Sequence, residues 1–137
     1  MAIESEGRTP NDASTSAARR SALESASRPL YGFMEQDGRA QALLESVGDL
    51  PDRTGYLAAM DDAVDSGGMR ELRVEKRRRL LEIAARDLTG ELPLEEATAR
   101  LADLADACLQ VTLRAVDAPP QLSVIGMGKL GARELNY

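Results

Sequence analysis

The sequence predicts an α+β fragment, in which a mainly α-helical segment leads into one β-strand and a glycine turn. Three observations carry that reading. Apolar residues recur at helical spacing, most regularly in Leu94, Ala97, Leu101, Leu104, Cys108 and Val111. A run rich in β-branched residues, Leu122-Ser123-Val124-Ile125, lies between Pro120 and Gly126. Glycines at 126, 128 and 131 then fall directly behind it.

The elements follow in order. Residues 1–29 are rich in Ser, Ala and charge, and Ile3 and Leu23 are their only large aliphatics. Such a stretch buries too little apolar surface to offset its ordering entropy, so a disordered tail is expected, with a transient helix over 17–26. Leu30, Tyr31, Phe33 and Met34 form the first apolar cluster. A short helix is expected from Gly38 to Val47, with Ala40, Leu43, Leu44 and Val47 on one face. Residues 48–55, containing Pro51 and Asp52, read as a loop. Tyr56 to Val64 is a second short helix, ended by Asp65-Ser66-Gly67-Gly68. Residues 69–88 form a stronger helix with Leu80, Leu81, Ile83, Ala84 and Leu88 as its apolar face, closed by Gly90. Pro93 stands near the start of the last helix, whose stripe steps by 3, 4, 3, 4, 3 residues until Asp117-Ala118-Pro119-Pro120 breaks it. The two long helices, joined by a short connection, are expected to pack antiparallel. Leu122 to Ile125 reads as a buried strand. One strand cannot make a sheet, because its backbone groups need a neighbour. The expected organisation is therefore a tail over 1–29, a helical segment over 30–118, and the truncated start of a further domain over 119–137. Leu122, Val124 and Ile125 would leave the isolated chain poorly soluble or loosely packed.

Composition narrows function. The 137 residues carry 23 acidic and 17 basic side chains, a net charge of −6, which argues against a nucleic-acid binder of the basic-patch kind. The four aromatics, Tyr31, Phe33, Tyr56 and Tyr137, are too few for a base-stacking platform. With no His and one Cys, Cys108, there is no Cys/His zinc site, no Ser-His-Asp or Cys-His catalysis and no disulfide within the chain. Cys108 lies on an apolar stripe and reads as a small core residue. The Lys76–Arg79 run could face phosphate or a partner, but a solvated helical face is the favoured reading. No basic and apolar leader opens the sequence, and no apolar stretch approaches the roughly 20 residues of a bilayer span. These features predict a cytoplasmic protein.

Chemistry concentrates in Leu122–Tyr137, L-S-V-I-G-M-G-K-L-G-A-R-E-L-N-Y. Gly126-x-Gly128-x-x-Gly131 after a strand matches the dinucleotide fingerprint, whose glycines let backbone approach phosphate ahead of a helix N-terminus. The pattern alone is weakly specific, since such glycines also make an ordinary strand-to-helix turn. A Walker-type loop is excluded, because Leu130 follows Lys129 where Ser or Thr is required. Arg133 and Glu134 read as a local ion pair or as cap contacts.

The same residues resemble the glutamine synthetase adenylyltransferase family, two-headed enzymes that add AMP to a tyrosine of glutamine synthetase and remove it. Gly126, Met127, Gly128, Lys129, Gly131, Glu134, Leu135 and Asn136 match the family block, and Ala132 stands where glycine is frequent. Upstream, Arg77–Leu88 and Leu101–Ala107 resemble the helices that precede the catalytic domain. The resemblance implies the first strand and glycine turn of a polymerase-β-type nucleotidyltransferase domain. Met127 and Glu134-Leu135-Asn136 are more similar to the N-terminal, deadenylylating half.

What the resemblance implies is phosphate or nucleotide binding by Gly126, Gly128, Lys129 and Gly131. Two Mg²⁺ ions would be held by a D-x-D that is expected about two residues beyond Tyr137. On this reading the chain contains no catalytic and no metal-ligating residue and is inactive alone. The implied partners are glutamine synthetase, ATP or phosphate, and a signalling protein of the PII type. Neither nucleic acid nor a membrane is implied. Two other readings fit the residues themselves: the start of a dinucleotide-binding Rossmann domain, and a non-enzymatic helical interaction module over 38–116.

Overall fold

The computed structural model describes residues 10–136. Among them the helices are α1 (Pro10–Ala26), α2 (Arg28–Gln36), α3 (Gly38–Glu45), α4 (Arg53–Leu88), α5 (Leu94–Ala115) and the single turn α6 (Gly128–Gly131). Short polar residues start α2, α3 and α4. The Ser27 side chain accepts from the Leu30 amide at α2, Asp37 from Ala40 at α3, and Asp52 from Gly55 at α4. The first turn of α5 carries Glu95 and Glu96 and its last turn Arg114, which suits the helix dipole.

α4 is helical in two halves. Gly67 (φ −158°, ψ 18°) and Gly68 (φ 64°, ψ −153°) leave the helical region, and the chain reverses there. Ala59, Asp62, Ala63 and Ser66 of the first half share a groove with Glu75 and Arg79 of the second. The first half runs parallel to α5, since Arg53 pairs with Asp106 and Asp61 with Arg114. The second half runs antiparallel to α5, with Lys76 and Leu80 beside Ala105, Leu104 and Leu101. The expected Tyr56–Val64 and 69–88 helices are thus both present, and the glycine pair is the turn between them. Gly90, at φ 74°, closes α4 as expected, with the Glu91 amide donating to Arg86 and the Gly90 amide to Asp87.

The second half of α4 is the central helix and buries two faces. Leu72 and Ile83 join Tyr56, Met60, Leu101, Leu104 and Val111 in one core between both halves of α4 and α5. Leu81, Ala84 and Ala85 join Leu23, Met34, Ala40 and Leu44 in a second core, against α1, α2 and α3. A helix covered on two sides does not show a single apolar stripe, so the face read from the sequence divides between two cores.

Three expectations are corrected. Disorder was expected over 1–29. Residues 1–9 lie outside the described residues, but 10–26 form α1, with Leu23 and Arg19 buried. Polar contacts compensate for the low apolar content: Arg19 donates to the carbonyls of Leu44 and Ser46 and pairs with Glu91. The Lys76–Arg79 run is not a solvated face throughout. Arg78 is buried and donates to Asp37 (2.8 Å), Glu71 (2.7 Å) and Glu75 (3.1 Å), while Arg79 pairs with Glu75 and Glu82. Arg77 lies over the Phe33 ring at 4.8 Å, and Lys76 stays exposed. Finally, Leu122–Ile125 forms no strand, and no strand occurs among the described residues. Leu122, Val124, Ile125 and Met127 are exposed, as follows where no second strand is at hand.

Candidate functional site

The glycine turn is built on its own backbone. Gly131 comes so close to Gly126 that a Cβ on it would lie 2.6 Å from the Gly126 carbonyl oxygen. No other residue type fits that position without opening the turn. Gly128 has φ 57°, a conformation that side-chain-bearing residues rarely adopt, although the space around it is open. Gly126 faces the Leu130 side chain instead, at 3.2 Å from where its Cβ would be.

α6 then runs for one turn. The Ala132 amide donates to Gly128, Arg133 to Leu130 and Glu134 to Lys129 (2.8 Å), with Arg133 itself at φ 60°. That is the hydrogen-bond pattern of a left-handed helix cap, with arginine where glycine is usual. The first amides of a helical turn have no acceptor within it. Residues 126–129 are exposed, so the start of the turn is accessible to solvent. The Lys129 ammonium donates to the Asn136 side-chain carbonyl at 3.3 Å.

The turn rests on the helical segment through two contacts. The Arg133 guanidinium donates to Asp103 Oδ1 at 2.8 Å and to the Ala99 carbonyl at 3.3 Å. Leu135 packs against the core of α4 and α5 and lines an apolar pocket of about 220 Å³ together with Lys76, Leu80, Leu101, Leu104, Ala105 and Asn136. The structure thus brings Gly126, Gly128, Lys129 and Gly131 into one exposed turn. Arg133 does not pair with its neighbour Glu134 but reaches thirty positions back to Asp103. Asp103 carried no signal in the sequence, because a lone acid on an α5 face is indistinguishable from a solvated one until the partner is known. Its burial beside Leu104 is the tertiary fact that singles it out.

Among the described residues no group of three or more His, Cys, Asp or Glu is placed to hold a metal ion. No helix among them is long and apolar enough to cross a membrane.

Fold and site together define a helical segment that carries an exposed glycine turn on its last helix pair. Residues 40–137 match the family model of glutamate-ammonia ligase adenylyltransferase, and the chain belongs to that family. It is similar to the bifunctional glutamine synthetase adenylyltransferase/adenylyl-removing enzyme of Thioalkalivibrio sulfidiphilus, at 39% identity over 74% of this chain and 12% of that protein. The enzyme of the same name from Mycobacterium avium is 42% identical over 60% of this chain and 10% of its own length. That from Streptomyces coelicolor is 48% identical over 48% of this chain and 7% of its own. The chain thus spans about a tenth of the curated relatives it matches. No solved structure matches it.

Proposed function

We propose that this chain is the part of a glutamine synthetase adenylyltransferase/adenylyl-removing enzyme that presents the phosphate cradle of one nucleotidyltransferase domain. The observation that carries the proposal is the exposed turn closed by Gly131 on Gly126, in a chain of this family. Its outward amides would bind phosphate oxygens, and Lys129 would add a point charge. In the adenylyl-removing direction, phosphate attacks the phosphorus of tyrosine-bound AMP, the tyrosine oxygen leaves, and ADP forms. In the adding direction, the tyrosine oxygen attacks the α-phosphorus of ATP and pyrophosphate leaves.

Leu122–Ile125 would become the first strand of a polymerase-β-type sheet when neighbouring strands are supplied by other parts of the enzyme. Magnesium would be held by carboxylates other than those described here, and no step is assigned to it. Met127 and Glu134-Leu135-Asn136 favour the adenylyl-removing half. A cytoplasmic location, glutamine synthetase as protein substrate and control by a PII-type protein belong to the same reading.

The test uses the whole enzyme that contains this segment, with adenylylated glutamine synthetase and phosphate, or unmodified synthetase and ATP. Lys129→Ala and Gly131→Val should each lower the rate by about tenfold or more, as loss of a preorganised phosphate contact does. The purified 137-residue chain should release no ADP above background. An intact enzyme without either activity, or variants that turn over at the unaltered rate, would refute the proposal.

A further inference from the structure

Arg133 occupies a position where its own backbone is unfavourable. At φ 60° a glycine would be more stable, yet an arginine stands there. Its guanidinium leaves the turn and reaches α5, where it meets the carboxylate of Asp103 and the carbonyl of Ala99. Asp103 is 8% exposed while the Arg133 side chain is about half exposed, so the pair lies at the edge of α5 with its carboxylate largely covered. A buried carboxylate needs such a partner, and the pair joins two parts of the fold that otherwise meet through Leu135. The backbone cap and the ion pair converge on one residue, which turns the cap at the end of α6 into a fixed anchor.

We propose that Arg133 is a positioning residue for the glycine turn. Its ion pair with Asp103 holds Gly126–Gly131 in one orientation on α5, so that a phosphate on the turn is presented in register with the helical segment. The inference rests on the phosphate-binding reading for its catalytic consequence, but the anchor is a physical claim that can be judged separately.

Arg133→Gly separates the two roles of the residue. It relieves the backbone and removes the tether. If Arg133 served only as a helix cap, Arg133→Gly would leave the turn as ordered as before, or more so. An anchor predicts the reverse. Hydrogen exchange on the 137-residue chain should show the amides of residues 132–134 exchanging at least tenfold faster in Arg133→Gly, with those in the α4 and α5 cores unchanged. Asp103→Asn, which keeps the shape and an acceptor, should show the same local acceleration, and the double variant should be no worse than either single one. Unchanged exchange at 132–134 in both single variants would overturn the anchor.

In the intact enzyme, both variants should raise KM for phosphate or ATP at least tenfold, with KM for glutamine synthetase unchanged. Arg133→Lys should recover part of that loss. A uniform fall in folded enzyme, with both KM values unaltered, would overturn the positioning role. Should the unaltered enzyme lack both activities, the phosphate-binding reading fails and with it the catalytic consequence, while the exchange measurement still decides the anchor.

Discussion

The Tyr56 hydroxyl is enclosed by both halves of α4 and by α5, and it meets no protein hydrogen-bond partner. Burial pushes its phenol pKa up from the usual value, with the charge on Glu82 acting in the same direction. A polar group in that position costs desolvation without a compensating bond. Tyr56→Phe should therefore leave stability unchanged or raise it by about 1 kcal/mol, measured by urea unfolding. A clear loss would show that the hydroxyl has a partner in solution. Cys108 follows the same physics with a different outcome. Burial pushes its thiol up to about 11, against a smaller opposing effect from Lys76, so it stays protonated and behaves as an apolar side chain. That role was legible from its place on the α5 stripe. Asp103 was not, since its significance lies in a partner thirty residues away.

At the scale of the elements, the glycine pair in α4 decides the topology. Gly68 combines φ 64° with ψ −153°, a conformation essentially confined to glycine. Gly68→Ala should destabilise the fold by about 1–3 kcal/mol. Gly32, inside α2 with open space around its Cα, gives the contrasting case. Gly32→Ala should stabilise by about 0.5–1 kcal/mol through helix propensity and a less flexible unfolded chain. Thermal unfolding of the two variants tests both, and equal effects would refute the assignment of the reversal to Gly68. Asp65-Ser66-Gly67-Gly68 announced this turn in the sequence because the backbone itself requires glycine. The helices on either side were legible for a related reason: their caps and periodicity are local. α1 was legible only as a transient helix over 17–26, because its order depends on Arg19 reaching Leu44, Ser46 and Glu91, which local composition does not encode. The strand was expected from β-branched residues alone, and such residues specify pairing only where a neighbouring strand exists.

Across the whole molecule, buried charges tie the two cores together. Arg78 holds the Asp37 carboxyl below the usual carboxylate range, and Arg19 does the same for Glu91. In each case the direct hydrogen bond outweighs the opposing desolvation. A carboxyl with a depressed folded-state pKa takes up protons more readily when unfolded. Its stabilising effect is therefore complete above the unfolded value, near 4, and is lost as pH falls through the lower folded value. Stability should fall on acidification below about pH 4, and Asp37→Asn with Glu91→Gln should flatten that limb while costing about 1.5–3 kcal/mol each at pH 7. Urea unfolding at stepped pH tests this, and an acid limb of unchanged slope would refute it. The same pairs separate two kinds of boundary. The match to the family model begins at residue 40, within the first turn of α3. The cap of that helix is Asp37, which also neutralises Arg78, and the second core is completed by Leu23. A polypeptide cut at residue 40 would keep α4 and α5 but uncover one side of the central helix and leave Arg78 without its aspartate. The family model thus covers a shorter stretch than the one that packs together.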